Sequence, residues 1–569
     1  MAHSQQTSGG LERGESLIGR VGFWLGLALF ASLIILPPPQ NMHRAIRQHF
    51  TEAIRADVAH RLKCLDQAVA PHDSEMYRQT TEKIVTERAH TMMAAAAVTA
   101  LVACWWMTLA LPLPVTSLLP LVLFPLVGVL PVGRAAIPYA NSHVFLFMGG
   151  FILALAVERW GLHRRIALHI VRMIGTSQST IVLGFMLASA VLSMWISNTA
   201  TTLMMLPIGL AIVAAMSEPN AESGESGRSG NFAAALMLGI AYGANIGGIA
   251  TPIGTPPNIA FRGQWSRLFP EAAEIGFGQW MILFVPMVTI FLPMVWLVLV
   301  KITCPVSPSK TVCGRAVVTD ELRRLGSMRR PEKRVMMIFI ATALLWMTRS
   351  IPVGDVNYGW SGLLERGMKG AGNQLFRADY INDATVAVGM AVLLFMIPAG
   401  RSKGSNRHDY LMNWETSRRL PWGILLLFGG GFSIAEGFQS SGLSAWCGEV
   451  FAGFGMIGAL PLILLTCLMM TFLTEITSNT ATTQVMLPIL ARVAQTMGIN
   501  PLMLMLPATL SASCAFMLPV ATPPNAIVFG SGHVEMKHMV RSGLVINLIG
   551  VLLISATFFW IARPVLGVE

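Results

Sequence analysis

The sequence predicts an all-α polytopic membrane protein with about 11 transmembrane helices and two re-entrant hairpins in two inverted-topology repeats. Of the 569 residues, 54% are hydrophobic and only 12% are charged, about half the charged share of a soluble globular protein. Several stretches of about 18 or more apolar residues could cross a hydrocarbon core about 30 Å thick. A twelve-residue motif also recurs, each time interrupting an apolar segment with polar residues.

The N-terminal part of the chain contains a tail and first span, residues 1–38, and a polar insert, residues 39–90. The apolar run 21–36 leads into three prolines without a small-residue cleavage site, so it is predicted to be a retained span with a cytoplasmic N-terminus. The insert is placed on the periplasmic side. Apolar residues recur there every fourth position and predict one helix with an apolar stripe, through Ile46, Phe50, Ile54, Val58 and Leu62.

The remaining chain divides into two transport repeats joined by a linker. The first repeat is residues 91–302, the linker is 303–334, and the second, inverted repeat is 335–569. Because Lys and Arg are concentrated in the linker, it is predicted to be cytoplasmic. The spans are expected near 92–111, 114–132, 143–160, 232–262, 278–302, 335–350, 382–399, 421–438, 501–530 and 540–562, with broken segments after 175 and at 457–497.

The two repeats are copies of each other. SNTATTLMMLPI at 197–208 recurs as SNTATTQVMLPI at 478–489, identical at ten of twelve positions with an offset of 281. Downstream, the TPPN at 255–258 recurs at 522–525 with an offset of 267. The difference equals the length of the polar loop 217–230, which the second copy lacks. Chance does not readily produce this pattern, so it indicates a duplication.

The copies are predicted to have opposite orientations in the membrane. Each contains five spans and one hairpin, and an odd number of crossings reverses the direction of the chain. The basic stretch 162–175 corresponds to 443–456, which has no Lys or Arg, as expected if this second stretch faces outward. Inverted repeats with broken helices are typical of secondary transporters, whose substrate binds near the midplane between the repeats. The sequence therefore predicts transport.

The broken segments supply polar groups inside the membrane. A half-helix that begins at Ser-Asn-Thr presents capped N–H groups and the positive end of its dipole. Two such tips aimed at one region suit an anion with two separated negative groups, while the freed carbonyls, hydroxyls and amide oxygens suit a small cation. Ser193 and Thr474 each lie four residues before their motif, so their hydroxyls are expected to face it across one helical turn. The TPPN breaks are expected to end their helices at Gly254 and Ala521.

Few acids lie inside the apolar spans, and such acids are functional candidates by default. They are Glu158, Glu436 and Glu475. Glu475 lies three residues before its motif, where the first copy has Met194; a structural or gating role is favoured, with proton coupling as the alternative.

Several classes of function are disfavoured. No HExxH or GxSxG motif is present, so an enzyme is not indicated, and no cofactor is expected. Lys and Arg in cytoplasmic loops explain the net charge of +11. Because no basic soluble domain is visible in the sequence, a nucleic-acid partner is not expected. The seven cysteines form no CxxC pair and indicate neither a disulfide framework nor a zinc site.

From about residue 92 to the end, the chain resembles the divalent-anion/sodium symporters, which include bacterial dicarboxylate carriers. The resemblance rests on the paired SNT motifs, the two TPPN breaks and the stretch NDATVA at 382–387. It implies a homodimer in the inner (plasma) membrane that binds one anion between the hairpin tips and moves it by an elevator-like displacement. It also implies sodium as the coupling ion.

Carried over residue by residue, the resemblance implies two sodium sites and one substrate site. The first sodium is expected near Ser193, Ser197, Asn198 and Gly254, and the second near Thr474, Thr477, Asn479 and Ala521. The substrate carboxylates are expected to meet Ser197, Asn198, Thr199, Ser478, Asn479, Thr480, Thr522 and Pro523. A C4-dicarboxylate such as succinate is the favoured substrate; a sodium-independent di- or tricarboxylate exchanger and a sulfate carrier remain as alternatives.

Overall fold

The structure, a computed structural model, describes residues 17–64, 75–174, 177–217, 226–306, 312–353, 356–371, 375–401, 408–444, 446–447 and 458–568. Within these ranges the chain is almost entirely helical, with two small antiparallel β-hairpins. Eight helices are long and apolar enough to cross a membrane, and four shorter apolar helices of 10–17 residues accompany them. The predicted all-α, multi-span fold class is therefore confirmed, whereas the count of eleven spans, the re-entrant hairpins and the inverted orientation of the repeats stay predictions.

The N-terminal elements are four helices. They are α1 (Leu17–Ile35), α2 (Gln40–His49), α3 (Thr51–Cys64) and α4 (Glu75–Thr108). The expectation of one helix in the insert is wrong, because α2 ends at His49 and the backbone of the next residue, Phe50, leaves the helical region (φ −121°, ψ 22°). The apolar stripe nevertheless continues, since α2 and α3 both pack on α4 and bury Ile46, Ile54 and Val58.

Ion pairs connect α2 and α3 to the N-terminal part of α4, which also lies in the insert. Arg47 bonds Glu82 at 2.6 Å, Arg61 bonds Glu87 at 2.5 Å, and Arg88 bonds Asp57 at 2.7 Å. The hydrogen bond from Arg61 is the largest influence on the pKa of Glu87, which is held below its usual value. Because α4 runs unbroken through residue 90 into the following apolar segment, the insert and that segment share one continuous helix.

After α4, the described part of the first repeat continues with ten helices and two short irregular helical segments. The elements are α5 (Leu113–Thr116), α6 (Leu119–Leu126), α7 (Val132–Ala136), a 3₁₀ turn (Ile137–Ala140), α8 (Ser142–Arg159), α9 (Leu162–Ile174), α10 (Gln178–Ser193), α11 (Asn198–Ser217), α12 (Ser226–Ile249), α13 (Pro256–Leu268) and α14 (Phe277–Leu297), which continues as a π-helix (Val298–Thr303).

The linker and second repeat contain the remaining elements. These are α15 (Val312–Leu325), α16 (Arg330–Thr348), β1 (Pro352–Val353), β2 (Val356–Asn357), α17 (Trp360–Gly370), a 3₁₀ turn (Ala378–Tyr380), α18 (Asp383–Met396), β3 (Pro398–Arg401), β4 (His408–Tyr410), α19 (Trp414–Ser417), α20 (Trp422–Ser441), α21 (Ala459–Ile476), α22 (Asn479–Thr496), α23 (Leu502–Ser511), α24 (Pro523–Phe529), α25 (Met536–Thr557), a π-helix (Phe558–Ala562) and α26 (Arg563–Val565). β1 pairs with β2, and β3 with β4.

The TPPN motifs start helices rather than end them. Helix α12 stops at Ile249 and α23 at Ser511, so the expectation that these helices end at Gly254 and Ala521 is wrong. The first proline of each motif is instead the first residue of α13 or α24. Proline is well suited to that position, because the N–H it lacks has no partner within the helix there. Non-helical stretches at 250–255 and 512–522 therefore separate the paired helices.

Aromatic rings connect the first hairpin to α16. The Trp195 ring lies two residues before Ser197 and stacks on Trp346 with 6.5 Å between centroids and 5° between planes. Phe277 stacks on both rings, at 6.0 Å from Trp195 and 4.8 Å from Trp346. Such ring pairs add about 0.5–1.5 kcal/mol beyond the burial of their area. The stack joins the tip of the first hairpin to α14 and α16.

Helix α9 packs against the linker helix α15. Its Arg164 pairs with Glu321 of α15, and its Arg165 pairs with Glu332 at the start of α16, at 2.5 Å. The first basic stretch and the basic linker thus lie on the same side of the molecule. In the second repeat, Trp446 donates to Asn41 of the insert at 3.1 Å. The insert therefore lies beside the second copy at the place where the linker lies beside the first.

Candidate functional site

Two hairpin tips carry the Ser-Asn-Thr motifs. Helices α11 and α22 begin at the motif asparagines, Asn198 and Asn479, as expected for half-helices that start inside the chain's apolar segments. The Ser197 hydroxyl accepts from the backbone N–H of Ala200 at 3.3 Å, which caps the first half-helix. Ser478 makes no such capping bond. The two copies thus start their helices at the same motif residue, but a serine side chain caps the first turn only in the first copy.

Side-chain hydrogen bonds connect the first tip to the second break. Ser193 donates to the amide oxygen of Asn198 at 2.6 Å, and the Asn198 amide donates to Asn245 at 3.3 Å. The Asn245 amide in turn donates to the Thr522 hydroxyl at 3.1 Å and lies 3.5 Å from the Asn525 amide oxygen. These groups are largely buried. The chain of amides and hydroxyls therefore joins residues of both repeats at one place.

The residues expected to hold the first sodium are brought close together. A Cβ added to Gly254 would lie 2.9 Å from the Ser193 carbonyl oxygen and 2.6 Å from that of Gly248. A Cβ on Gly248 would lie 2.7 Å from the Asn198 amide oxygen and 3.2 Å from the Gly254 carbonyl oxygen. Only glycine permits this close approach of backbone and side-chain oxygens. Such a concentration of oxygens is a suitable environment for a small hard cation.

The residues expected to hold the second sodium are connected less directly. Thr474 donates to the Thr471 carbonyl at 3.1 Å, and the Thr477 hydroxyl lies 2.6 Å from that of Thr482. The amide oxygen of Asn479 is buried and has no hydrogen-bond partner among the described residues. Ala521 is connected to this region through its N–H, which donates to Leu518. An unpaired buried oxygen is costly, so the Asn479 amide is suited to receive a ligand.

The other predicted substrate residues differ in their exposure and in their hydrogen bonds. Thr480 is buried, Thr199 is partly buried, and Pro523 is exposed. Thr522 accepts from the backbone N–H of Asn525 at 3.3 Å and so caps α24. Of the predicted set, the structure joins Asn198 to Thr522 through hydrogen bonds, and it leaves Thr199, Thr480 and Pro523 without such connections among the described residues.

Two repeated asparagines hold the breaks open. Asn258 donates to the carbonyls of Gly248 and Thr251 at 3.2 and 2.8 Å. Asn525 donates to the carbonyls of Ala515 and Leu518, each at 3.0 Å. These carbonyls occupy equivalent positions in the two copies, so each TPPN asparagine satisfies the oxygens that its broken helix leaves free. The sequence signal was the repetition of the motif itself, although its asparagine was not singled out.

The hairpin and the break touch at equivalent positions in both copies, and in both the break donates; the side chain comes from the break in the first copy and from the hairpin in the second. In the first, the Thr251 hydroxyl donates to the carbonyl of Met194. In the second, the Glu475 carboxylate accepts from the backbone N–H groups of Phe516, Met517 and Leu518 at 2.7, 2.9 and 3.0 Å. Its carboxylate also accepts from Asn547 at 2.7 Å. Glu475 thus holds the second break, consistent with the structural role favoured from the sequence.

The two other acids singled out from the sequence are ion-paired. Arg419 donates to Glu158 at 2.7 Å, and Arg134 donates to Glu436 at 2.6 Å. Arg267 of α13 also pairs with Glu436. These pairs join segments more than 100 residues apart, so their role is to connect helices rather than to bind substrate.

A buried charge cluster joins α13 to α16 and α18. Asp383 is 2% exposed and accepts from Arg262 at 2.8 Å and from Arg349 at 2.6 Å. Glu274, in the loop between α13 and α14, lies 3.8 Å from Arg262 and 3.6 Å from His143. Burial alone would raise the pKa of Glu274, but the neighbouring His143, Arg262 and Arg349 lower it to about 2.

Helix α13 also packs without clearance against α20. A Cβ on Gly263 would lie 1.9 Å from the Phe432 ring, and the Gln264 amide donates to the Gly431 carbonyl at 3.2 Å. Gly431 and Phe432 belong to the second copy, where they repeat Gly150 and Phe151 at the offset of 281. The helix that follows the first break is therefore fitted to the second repeat.

Comparison with known proteins assigns this architecture. A family model described as the sodium:sulfate symporter transmembrane region matches residues 82–567. The chain belongs to this family. The family consists of transporters, so this is a multi-pass membrane transporter and not an enzyme. The family resemblance inferred from the doubled motifs is thereby confirmed.

Similar proteins include two staphylococcal relatives. The chain is 41% identical over 473 residues to the sodium-dependent dicarboxylate transporter SdcS of Staphylococcus saprophyticus, covering 83% of this chain and 86% of the relative. It is 40% identical to SdcS of Staphylococcus aureus strain MRSA252, again over 473 residues that cover 83% of this chain and 86% of the relative. The solved Alcanivorax borkumensis YdaH transporter aligns with a TM-score of 0.51 at 14% identity, over 75% of this chain and 86% of that one, which indicates a shared fold.

Proposed function

We propose that this protein couples the entry of sodium to the uptake of a small divalent anion, with C4-dicarboxylates such as succinate as the substrate. The observation that carries the proposal is the hydrogen-bonded path from Ser193 through Asn198 and Asn245 to Thr522, which links the first tip to the second break. Similarity to sodium-dependent dicarboxylate transporters over 83% of the chain supports the class of substrate and coupling ion.

The substrate is proposed to bind between the two tips. Its carboxylates would meet the polar groups and half-helix N-termini at Ser197, Asn198 and Thr199 on one side and Ser478, Asn479 and Thr480 on the other. Neutral donors and helix dipoles can stabilise a bound anion even when the site itself has no fixed positive charge. Thr522 and Pro523 are proposed to complete the site from the second break.

Two sodium ions are proposed beside the substrate. Ser193, Ser197, Asn198 and Gly254 would hold the first, and the close approach of Gly248 to Gly254 and Asn198 supports this set. Thr474, Thr477, Asn479 and Ala521 would hold the second, supported by the unpaired amide oxygen of Asn479. Sodium bound at both tips would offset the negative charge of the substrate, which explains physically why the two bind together.

Uptake of labelled succinate into proteoliposomes, with and without an inward sodium gradient, tests the function. Sodium-driven accumulation in empty vesicles is the expected result. Uptake only into vesicles preloaded with dicarboxylate, indifferent to sodium, would make the protein an exchanger and overturn the proposed coupling. Sodium-driven uptake of sulfate but not succinate would overturn the proposed substrate.

The proposed localisation is the inner (plasma) membrane, with the N-terminus and the linker inside and the insert outside. Basic α9 of the first repeat contacts the linker, whereas the equivalent part of the second repeat, at Trp446, contacts the insert. These two contacts support placing the linker and the insert on opposite sides of the membrane. In a background without native cysteines, Glu75→Cys should react with an impermeant maleimide in intact cells, and Ser327→Cys only after permeabilisation; both positions are exposed. The reverse labelling pattern would contradict this orientation.

A homodimer with an elevator-like movement is part of the same proposal, and it rests on the family resemblance. Mass measurement of the purified protein by light scattering should give twice the 61.6 kDa chain, after the detergent contribution is subtracted. A mass of one chain would contradict the dimer. Crosslinks that form between α13 and α20 in only one of two sodium conditions would support movement between these elements.

A further inference from the structure

A polar seam lies behind the second tip, between α21, α23 and α25. On α21, Cys467, Thr471 and Glu475 are spaced four residues apart and therefore share one face. On α25, Asn547 lies beside Glu475, and Ser555 lies near Cys467. All five side chains are buried. We define the polar seam as these five residues together with Ser511 of α23, which also approaches Cys467.

Oxygen atoms in the polar seam lack hydrogen-bond partners among the described residues. They are the side-chain oxygens of Thr471, Ser511 and Ser555 and the amide oxygen of Asn547. Thr471 is unusual in this respect, because Thr466 on the same helix and Thr509 on α23 donate to the carbonyl four residues earlier, at 2.8 and 2.7 Å. Buried polar atoms are nearly always paired, so a cluster of unpaired oxygens indicates an ion or water held among them.

The charge of Glu475 favours an ion over water. The carboxylate is 3% exposed and has four N–H donors, but no cationic side chain pairs with it within the described part of the chain. Three of those donors bond one carboxylate oxygen and a single donor bonds the other, so the second oxygen retains capacity to accept. A buried negative charge without a positive partner is costly, and a bound cation would remove that cost.

Only the second repeat has this chemistry. At the equivalent positions of the first repeat, Met186, Ala190 and Met194 replace Cys467, Thr471 and Glu475, and Ala244 replaces Ser511. The apolar first copy shows that the hairpin fold does not require polar residues here. The polar seam is therefore an addition to one copy and not a structural need of both.

We infer that the polar seam binds a further monovalent cation, of the sodium class, distinct from the two proposed beside the substrate. Its ligands are the Glu475 carboxylate, the Thr471 and Ser511 hydroxyls and the Asn547 amide oxygen, all hard oxygen donors. The cation neutralises Glu475 and so stabilises the second break, which Glu475 holds through its three backbone bonds. This inference rests on the proposed sodium coupling and adds one ion to it.

Equilibrium binding of ²²Na⁺ to the purified full chain in detergent tests the inference. Thr471→Val and Ser511→Ala remove ligand hydroxyls with little change of shape. Thr466→Val and Thr509→Val are matched controls on the same two helices, since their hydroxyls bond carbonyls of their own helix. The Thr471→Val/Ser511→Ala double variant should bind one sodium fewer per chain than the wild type, and the controls should retain the wild-type number.

The sodium dependence of succinate uptake gives a second readout. The Hill coefficient for sodium should fall by about one in the double variant and stay unchanged in the controls. If the number of bound sodium ions is the same in all variants, the seam holds only water or a proton and the inference is wrong. If the wild type shows no saturable sodium binding, the proposed coupling itself fails. Should the double variant not fold, the count for Ser511→Ala alone decides, because serine-to-alanine leaves the helix intact.

Discussion

Replacing Asp383 by asparagine should destabilise the protein strongly. Asp383 is 2% exposed and is the partner of two guanidinium groups, those of Arg262 (4% exposed) and Arg349 (12% exposed). Glu274 lies 3.8 Å from Arg262 but is 41% exposed, so it compensates little. Removing one partner of a buried ion pair typically costs about 3–5 kcal/mol, which lowers the ratio of folded to unfolded protein roughly 150- to 4,000-fold.

Unfolding in mixed micelles of detergent and SDS, followed by tryptophan fluorescence, measures this change. The matched control is Asp379→Asn, because its pair with Arg377 is exposed by 60% and 64% and should contribute less than about 1 kcal/mol. A second variant, Arg262→Met/Asp383→Leu, removes both charges and should recover part of the lost stability. Equal unfolding curves for Asp383→Asn and the control would refute the reasoning.

Three further predictions concern the tips, helix packing and pH. Asn198→Ala and Asn479→Ala should each abolish sodium-driven succinate uptake while the protein still inserts and folds, whereas the control Asn231→Ala, at a partly buried asparagine outside the tips, should transport normally; wild-type uptake by both tip variants would contradict the site. Gly263→Ala should destabilise the chain by about 1–3 kcal/mol, since the added Cβ overlaps a phenylalanine ring, and an unchanged thermal midpoint would argue against tight packing there. The pKa of Glu274 is lowered to about 2, so the stability that its charge contributes is present above the ordinary pKa of 4.5 and is lost as pH falls toward 2. Glu274→Gln should therefore lower the thermal midpoint at pH 6 more than at pH 3, and an equal loss at both pH values would contradict this prediction.

The architecture could be predicted because the sequence contains it twice. A motif that interrupts an apolar segment once is ambiguous, but the repeated Ser-Asn-Thr and TPPN motifs marked both breaks and both half-helix starts, Asn198 and Asn479. Local rules misplaced the ends of α12 and α23, since proline was read as the stop of one helix when it begins the next. The chain leaves the helix at Ile249 and Ser511, several residues earlier.

Much of the candidate site could not be predicted, for a physical reason. Asn245 connects the two repeats by hydrogen bonds, yet its counterpart in the second copy is Ala512, so no repetition marks it. The pairing of Arg262 with Asp383 spans 121 positions. Periodicity reports which face of a helix is apolar but not which distant helix packs against it, so contacts of this kind emerge only from the folded chain.

The stack of Trp195 on Trp346 gives the protein a built-in optical reporter. Two indole rings held nearly parallel, with centroids 6.5 Å apart, couple their excited states strongly enough to alter the near-ultraviolet circular dichroism of both. One ring belongs to the first hairpin and the other to α16, so any displacement of the hairpin relative to α16 separates the rings and weakens that signal. The spectrum of the unlabelled protein can therefore follow the first hairpin as sodium or substrate is added.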